Sequence, residues 1–169
     1  MFLINTAEKP MDNLYFTKAD IYYNGDVFWS RYADAPNEAL YPFGYGLSYT
    51  SFEYSDLELA QSTLPLGEPV AVTVQLTNSG AYAGSEVVQL YIRDRVASTI
   101  RPLKELKGFQ KVSLAAGESQ QLRFILGPDE LGFYSGDGLF QIEPGEFDVF
   151  VGGSSVDTLQ ASFEWLEVE

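Results

Sequence analysis

The chain has 169 residues, enough for one domain or one domain with an appendage, and its 46% hydrophobic content supports an ordinary buried core. A formal net charge of −14 and an isoelectric point near 4.2 disfavour nucleic acid and anionic membrane surfaces as partners. Because cysteine and histidine are absent, the chain has no disulfide, no thiolate nucleophile, no Ser-His-Asp triad and no imidazole metal ligand.

The first fifty residues are rich in aromatic side chains and poor in regular patterns. Aromatic residues crowd the segment between Tyr15 and Tyr54, and no period of 3.6 or 2 is sustained there. Within it, residues 41–49 read Tyr-Pro-Phe-Gly-Tyr-Gly-Leu-Ser-Tyr. The two glycines allow close backbone approach, and the rings offer large apolar faces. We therefore expect residues 1–50 to be an irregular segment that packs against a neighbouring domain through Tyr41, Phe43, Tyr45 and Tyr49.

From residue 51 onward the pattern changes to short strands separated by turns. Phe52–Leu59 is predicted as the first strand, followed by a loop over residues 64–69. Valine and leucine then alternate with smaller or polar residues over 70–77, which is typical of a half-buried strand. The same alternation recurs over 86–94. Further strands are predicted over residues 103–114, with a bulge at Gly108, and around Leu122, Phe124 and Leu126.

The last third of the chain continues this pattern with one short helical exception. Pro128 lies near the start of a predicted single helical turn that ends at Leu131. Ser135-Gly136-Asp137-Gly138 predicts a tight turn before a strand over residues 139–142. Apolar residues at a spacing of two predict the final strands, at Phe147, Val149 and Val151 and then at Phe163 and Trp165.

These elements predict an all-β fold. About seven short strands recur at intervals of about ten residues, and no long segment with helical periodicity separates them. This spacing is typical of an antiparallel β-sandwich of the immunoglobulin or fibronectin III-like type. Because the Cys…Trp…Cys pattern of immunoglobulin domains is missing, the fibronectin type III-like variety is favoured, over residues 51–169.

Several motifs, taken together and in order, resemble one known family. Residues 41–50 followed by Phe52 resemble the linker before the C-terminal fibronectin type III-like domain of glycoside hydrolase family 3, the β-glucosidase and β-xylosidase family. Leu76-Thr-Asn-Ser-Gly80 and Glu86-Val-Val-Gln-Leu-Tyr-Ile92 resemble that domain's second and third strands. The resemblance covers residues 36–169 and continues through Arg101-Pro102, Leu106-Lys-Gly-Phe109 and Glu143-Pro-Gly-Glu-Phe147. Phe140 departs from the pattern, since many members carry tryptophan there.

The resemblance implies glycosidase activity for a larger protein and no catalytic residue in this chain. A full-length member is a retaining exo-glycosidase with two carboxylates about 5–5.5 Å apart, one the nucleophile and one the acid/base. In the family the nucleophile lies on an N-terminal barrel and the acid/base usually on a second domain, both before the region matched here. No position in this chain matches either motif. We therefore expect no catalytic residue, no metal and no cofactor in it, and a parent enzyme of the β-glucosidase type.

The most polar loop of the matched region contains Asp94, Arg101, Pro102 and Lys104. Two interpretations are open. The loop either pairs with its own domain or forms a lip that reaches the active-site entrance on the neighbouring catalytic domains. Polar turn residues ordinarily have local capping and pairing roles, which favours the first. Asp94, Arg101 and Lys104 are kept as candidates for an entrance loop.

The main hypothesis is a non-catalytic accessory domain that stabilises the catalytic domains of its parent enzyme and shapes the active-site entrance or a homodimer interface. The alternative is a carbohydrate-binding module that contacts oligosaccharides through exposed aromatics of residues 15–54. Sugar specificity cannot be read from these residues. The start at Met1 lacks signal-peptide features, so a periplasmic, a secreted and a cytoplasmic parent enzyme all stay open, and no apolar run approaches a membrane span.

Overall fold

The computed structural model describes residues 39–167. Over this range the chain forms ten strands and one helical turn. Seven strands have eight residues or more: β1 (Phe52–Leu59), β3 (Val70–Asn78), β4 (Gly84–Asp94), β5 (Glu105–Leu114), β6 (Ser119–Leu126), β9 (Gly145–Gly152) and β10 (Thr158–Leu166). The shorter elements are β2 (Thr63–Pro65), β7 (Phe133–Tyr134), β8 (Phe140–Gln141) and the helical turn α1 (Pro128–Leu131).

The long strands form two sheets that pack face to face. One sheet has the strand order β1-β3-β6, and the other has the order β2-β10-β9-β4-β5. Strands β7 and β8 pair only with each other, as a small hairpin. Every pair in the two sheets is antiparallel except β2 with β10. The predicted all-β fibronectin III-like sandwich of about seven strands is confirmed.

The core lies between the sheets and follows from the alternation in the sequence. Alternate residues of β3 are fully buried because one face of that strand points inward. The facing sheet contributes Val88, Leu90 and Ile92 from β4. At one edge Phe147 stacks on Phe163 with 5.3 Å between ring centroids, and Trp165 meets Phe147 edge-on at 5.6 Å. The hydrophobic effect on these side chains is the main force that holds the sheets together.

The loop predicted over residues 64–69 contains a strand that the sequence pattern did not reveal. Thr63–Pro65 pairs in parallel with Glu164–Leu166 of β10. Leu64 is only 4% exposed, so its burial draws this segment onto the sheet. Pro65 has no N–H to donate and is tolerated because β2 is an edge strand. The indole N–H of Trp165 donates to the carbonyl of Glu68 at 2.9 Å, which fastens the end of the loop.

Strand β5 contains a bulge one residue before the position predicted for it, Gly108. Leu90 pairs with Gly108 and Tyr91 with Leu106, which leaves Lys107 as the extra residue. Residues 39–50 contain turns and bends and no strand or helix. The predicted irregular segment over residues 1–38 lies outside the described residues, so the domain division at residue 50 stays a prediction.

Candidate interdomain surface

The linker segment, defined here as residues 39–50, lies along the sandwich and is fastened to it through its backbone. The carbonyl of Phe43 accepts a hydrogen bond from the Ser155 N–H at 2.9 Å. The Tyr45 N–H donates to the Pro42 carbonyl at 3.0 Å and closes a turn. At the far end the Thr50 hydroxyl donates to Asn78 Oδ1 at 2.6 Å. Residues of the sandwich therefore hold the segment at Phe43 and at its C-terminal end, Thr50.

Gly44 permits the close approach of the linker segment to the five-stranded sheet. Its φ is +81°, and a Cβ at this position would overlap the side-chain amide of Gln89. Gln89 is only 5% exposed, although it lies on the outer face of β4. Its Nε2 donates to the Gly153 carbonyl at 2.6 Å, and its Oε1 accepts from the Tyr91 hydroxyl. The buried amide of Gln89, hydrogen-bonded through both its nitrogen and its oxygen, thus lies directly beneath Gly44.

The aromatic side chains of the linker segment face away from this anchored backbone. Tyr41, Phe43, Tyr45 and Tyr49 are 64%, 40%, 51% and 99% exposed. The rings of Tyr41 and Tyr45 lie 5.4 Å apart and are tilted by 34°. Leu40 and Leu47 are also exposed, and residues 39–52 contain no charged side chain. An exposed, uncharged aromatic surface results, and its packing against another domain stays a prediction.

The predicted polar loop is anchored to its own domain by Arg101. The Arg101 guanidinium lies 3.2 Å from Asp94 Oδ2 and 3.2 Å from both carboxylate oxygens of Glu105. It also donates to the Leu131 carbonyl at 2.8 Å and lies 5.1 Å from the centre of the Phe133 ring. The side chains of Arg101 and Asp94 are 6% and 3% exposed. Arg101 therefore joins the loop after β4, the turn α1 and the β7–β8 hairpin.

The pKa values of the two carboxylates around Arg101 are shifted in opposite directions. Burial raises the pKa of Asp94, and the neighbouring Arg101 lowers it by less. Burial also acts to raise the pKa of Glu105, but hydrogen bonds from Lys107 and Arg101 together bring that pKa below its usual value. The cluster is an internal ion-pair network, and the local-pairing interpretation accounts for every contact of Arg101 described above.

Lys104 lies apart from Arg101, on the side of the loop nearest the linker segment. Its Nζ donates to the Ser155 carbonyl at 2.7 Å and lies 4.1 Å from the centre of the Phe150 ring. The structure thus brings Lys104 and Phe43, two candidates from different predicted sites, to the same residue, Ser155. No feature of the local sequence around Ser155 signals that two distant segments meet there.

Several polar residues outside the predicted sites help to position the surface. Asn78 and Gln89 were seen only as parts of strand motifs. Tyr54 donates to Glu86 Oε1 at 3.0 Å beside Gly153, and burial raises the pKa of both side chains. Among residues 39–167 no group of three or more acidic side chains could hold a metal ion. The described part of the chain also contains no helix long and apolar enough to cross a membrane.

Comparison with known proteins agrees with this geometry. The sequence model of the fibronectin type III-like domain family matches residues 86–155. The chain is 43% identical over 139 residues to a periplasmic β-glucosidase of Salmonella typhimurium, covering 82% of this chain and 18% of that protein. It is 46% identical over 125 residues to a putative β-xylosidase of Formosa agariphila, covering 74% of this chain and 16% of that protein.

A solved structure extends the agreement to three dimensions. The β-glucosidase of Listeria innocua in complex with gluconolactone superposes with a TM-score of 0.79 at 41% identity, covering 91% of this chain and 21% of that one. The chain belongs to the fibronectin type III-like domains of glycoside hydrolase family 3. This fibronectin type III-like domain spans less than a fifth of the length of the two curated relatives. Their region of similarity supports an accessory domain, and the predicted family resemblance is confirmed.

Proposed function

We propose that the chain is the C-terminal accessory domain of a retaining β-glycosidase of the β-glucosidase type, and that it braces the catalytic domains of that enzyme. Both catalytic carboxylates lie in those domains, so the chain alone does not hydrolyse glycosides. Similarity to a β-glucosidase and a putative β-xylosidase, of which the matched region makes up only 18% and 16%, supports this proposal. Purified chain incubated with an aryl β-glucoside is expected to give no turnover, and turnover that survives further purification contradicts the proposal.

The observation that carries the proposal is the exposed, uncharged aromatic surface on the anchored linker segment. Tyr41, Tyr45 and Tyr49 are more than half exposed, although their backbone is fixed to the sandwich. Contiguous apolar surfaces of this kind commonly mark an interface. Tyrosine suits such a surface because its ring packs on apolar groups while its hydroxyl takes a polar partner. The partner we propose is the catalytic body of the same enzyme.

A chimera tests the bracing role. Residues 39–167 replace the corresponding region of the Listeria innocua β-glucosidase, which is 41% identical. The chimera is expected to keep the thermal stability of its catalytic domains. A variant with Tyr41, Tyr45 and Tyr49 changed to Ser should unfold at a lower temperature, because it loses the apolar interface. A matched variant with Tyr82 and Tyr134 changed to Ser, at positions 67% and 71% exposed, should match the unmodified chimera. Equal unfolding temperatures for all three proteins contradict the bracing role.

The polar loop supports a second part of the proposal, which concerns the active-site entrance or a dimer interface. Arg101 holds the base of the loop within the domain, while Val96 and Ile100 on the same loop are 79% and 81% exposed. A rigid loop with apolar tips is suited to contact a neighbouring domain or a second copy. In the chimera, changing Val96 and Ile100 to Ser should alter KM without a change in unfolding temperature if the loop shapes the entrance. A shift from dimer to monomer identifies the interface role instead.

The alternative function, a carbohydrate-binding module, can be tested directly. The exposed rings of the linker segment are its supporting observation, while the 34° tilt between Tyr41 and Tyr45 departs from a flat stacking platform. Most of residues 15–54 lie outside the described range. Calorimetric titration of the chain with laminaribiose is expected to show no heat of binding. Saturable binding that is lost in the Tyr41, Tyr45 and Tyr49 variant favours the carbohydrate-binding function.

A further inference from the structure

The turn over residues 152–155 lies between the two candidate sites. On one side the Ser155 N–H donates to the Phe43 carbonyl at 2.9 Å. The neighbouring Gly153 carbonyl accepts from Gln89 Nε2 at 2.6 Å, and Gln89 forms the floor beneath Gly44 of the linker segment. On the other side the Ser155 carbonyl accepts from Lys104 Nζ at 2.7 Å. One residue therefore bonds the linker segment through its N–H and the polar loop through its carbonyl.

Lys104 is well placed to fix the position of that residue. Its ammonium lies over the Phe150 ring, where a cation–π contact holds it, and it also lies 3.5 Å from Thr158 Oγ1. A hydrogen bond from a charged donor is stronger than one between neutral groups. Lys104 thus holds the carbonyl of Ser155 while it contacts Phe150 in β9 and Thr158 in β10, on either side of the connection between these strands.

The side chain of Ser155 plays no visible part in this arrangement. Ser155 is 5% exposed, and its hydroxyl has no hydrogen-bond partner among the described residues. The connection therefore runs through the main chain. We propose that Lys104 is a positioning residue for the linker segment, acting through the main chain of Ser155, so that the polar loop and the linker segment are conformationally coupled.

The coupling has a reciprocal consequence. Coupling free energies are symmetric, so whatever displaces the linker segment must also weaken the hold of Lys104. The inference about Lys104 concerns the fold of this chain alone. Only the biological role of this coupling, as a link between an interdomain contact and an entrance loop, rests on the proposed function.

The experiment is amide hydrogen exchange of the intact chain, measured by NMR, in Lys104→Met. Methionine keeps the apolar stem and removes the three donors. The exchange rate of the Ser155 amide should rise by about tenfold or more, because the loss of the charge-assisted bond to the Ser155 carbonyl loosens the residue whose N–H holds Phe43. Amides of β3 should keep their rates. If the Ser155 and β3 amides accelerate by the same factor, or if neither accelerates, the proposal is overturned.

Two matched variants separate positioning from general effects of charge or side-chain loss. Lys107→Met removes a nearby lysine that pairs with Glu105 at 2.7 Å, and Ser155→Ala keeps both main-chain bonds. Neither should accelerate the Ser155 amide, and acceleration in Lys107→Met equal to that in Lys104→Met contradicts the assignment.

Gly44→Ala gives the reciprocal test, because its Cβ displaces the linker segment from Gln89. If both sites act through the same bond, adding Lys104→Met to Gly44→Ala accelerates the Ser155 amide little further. Multiplicative acceleration in the double variant shows independent sites and overturns the coupling. No arm of the experiment depends on glycosidase activity, so it is unaffected by failure of the proposed function.

Discussion

Asn78 has the densest set of hydrogen bonds around the linker segment. It is fully buried, and its Nδ2 donates to the carbonyls of Tyr82 at 2.8 Å and Leu114 at 3.1 Å. Its Oδ1 accepts from the Thr50 hydroxyl and from the Gly80 N–H. All donors and two acceptor sites of the amide are used, so one side chain joins the end of the linker segment to the β3–β4 turn and the end of β5.

Asn78→Ala should therefore be strongly destabilising. The substitution leaves buried main-chain groups without partners, and we expect a loss of about 2–4 kcal/mol in the free energy of unfolding. Urea denaturation measures this loss. Thr77→Ala, which removes an exposed hydroxyl paired with Ser119, is the matched control and should cost less than about 1 kcal/mol. Similar losses in the two variants contradict the role given to Asn78.

Asp148 makes the stability of the domain depend on pH. A hydrogen bond from Arg95 lowers the pKa of this carboxyl, and Gln160 supports the same effect with a bond of 3.3 Å. Because the folded pKa lies below the usual value of about 3.9, the unfolded chain binds the proton more readily. The pair therefore stabilises the fold above about pH 3.9, and this contribution is lost as the pH falls through the folded pKa.

Arg95→Gln tests this sign. The variant should be less stable than the parent chain at pH 7, and the difference should shrink as the pH falls below about 3.9. Thermal unfolding followed by circular dichroism over this range gives the comparison. Arg123→Gln removes an arginine that forms no ion pair among the described residues and should show no such trend. A difference that is constant with pH in Arg95→Gln argues against the assignment.

The connection between β9 and β10 shows how an element positions the surface. Gly152 ends β9, and a Cβ there would overlap the Asp157 carbonyl and lie 2.9 Å from Thr158 Cα. Both contacts are with backbone, so no side-chain rotation relieves them. Only glycine lets the chain fold back closely enough for Ser155 to reach both Phe43 and Lys104.

Gly152→Ala is expected to destabilise the domain by about 1–3 kcal/mol through overpacking. Gly136→Ala is the control, because a Cβ at Gly136 meets nothing within 4 Å and its φ is not positive. That change should be neutral or slightly stabilising, since alanine restricts the unfolded chain more than glycine does. The denaturant midpoint of each variant is compared with that of the parent chain, and a lower midpoint is expected for Gly152→Ala only. Equal midpoints for the two variants would show that the turn tolerates a side chain at Gly152.

The whole molecule combines high net charge with one uncharged surface. The chain carries a net charge of −14, yet residues 39–52 have no charged side chain and present several exposed rings. Electrostatic repulsion between chains opposes association, while the aromatic surface favours it. Salt screens the repulsion and leaves apolar contact largely unaffected. The balance between these two forces determines whether the isolated chain stays monomeric.

We expect the isolated chain to self-associate with increasing concentration, and more strongly at high salt. Size-exclusion chromatography with light scattering measures the mass. Changing Tyr41, Tyr45 and Tyr49 to Ser should restore the monomer, whereas changing Tyr82 and Tyr134 to Ser should not. A concentration-independent monomer at every salt concentration contradicts the expectation.

The local sequence pattern was sufficient to predict the seven long strands and the turn α1, and the order of its motifs was sufficient for the family resemblance. The first strand was predicted over Phe52–Leu59 and is found there, because alternation in a half-buried strand is a local property of neighbouring residues. Pro128 likewise predicted the helical turn locally, because its ring fixes φ at a value that suits the first position of a helix. These signals lie within a few residues of the element that they predict.

The contacts that shape the candidate surface required the packed sandwich. Gln89 meets Gly153 across 64 positions of sequence, and Trp165 meets Glu68 across 97. The meeting of Phe43 and Lys104 at Ser155 depends on how β4, β5, β9 and β10 lie side by side. No local period encodes such partners, because a buried polar group is satisfied by whichever backbone the packing of the sheets brings to it. The sequence therefore specified which segments are the long strands, and the packing of those strands specified which residues hold the linker segment.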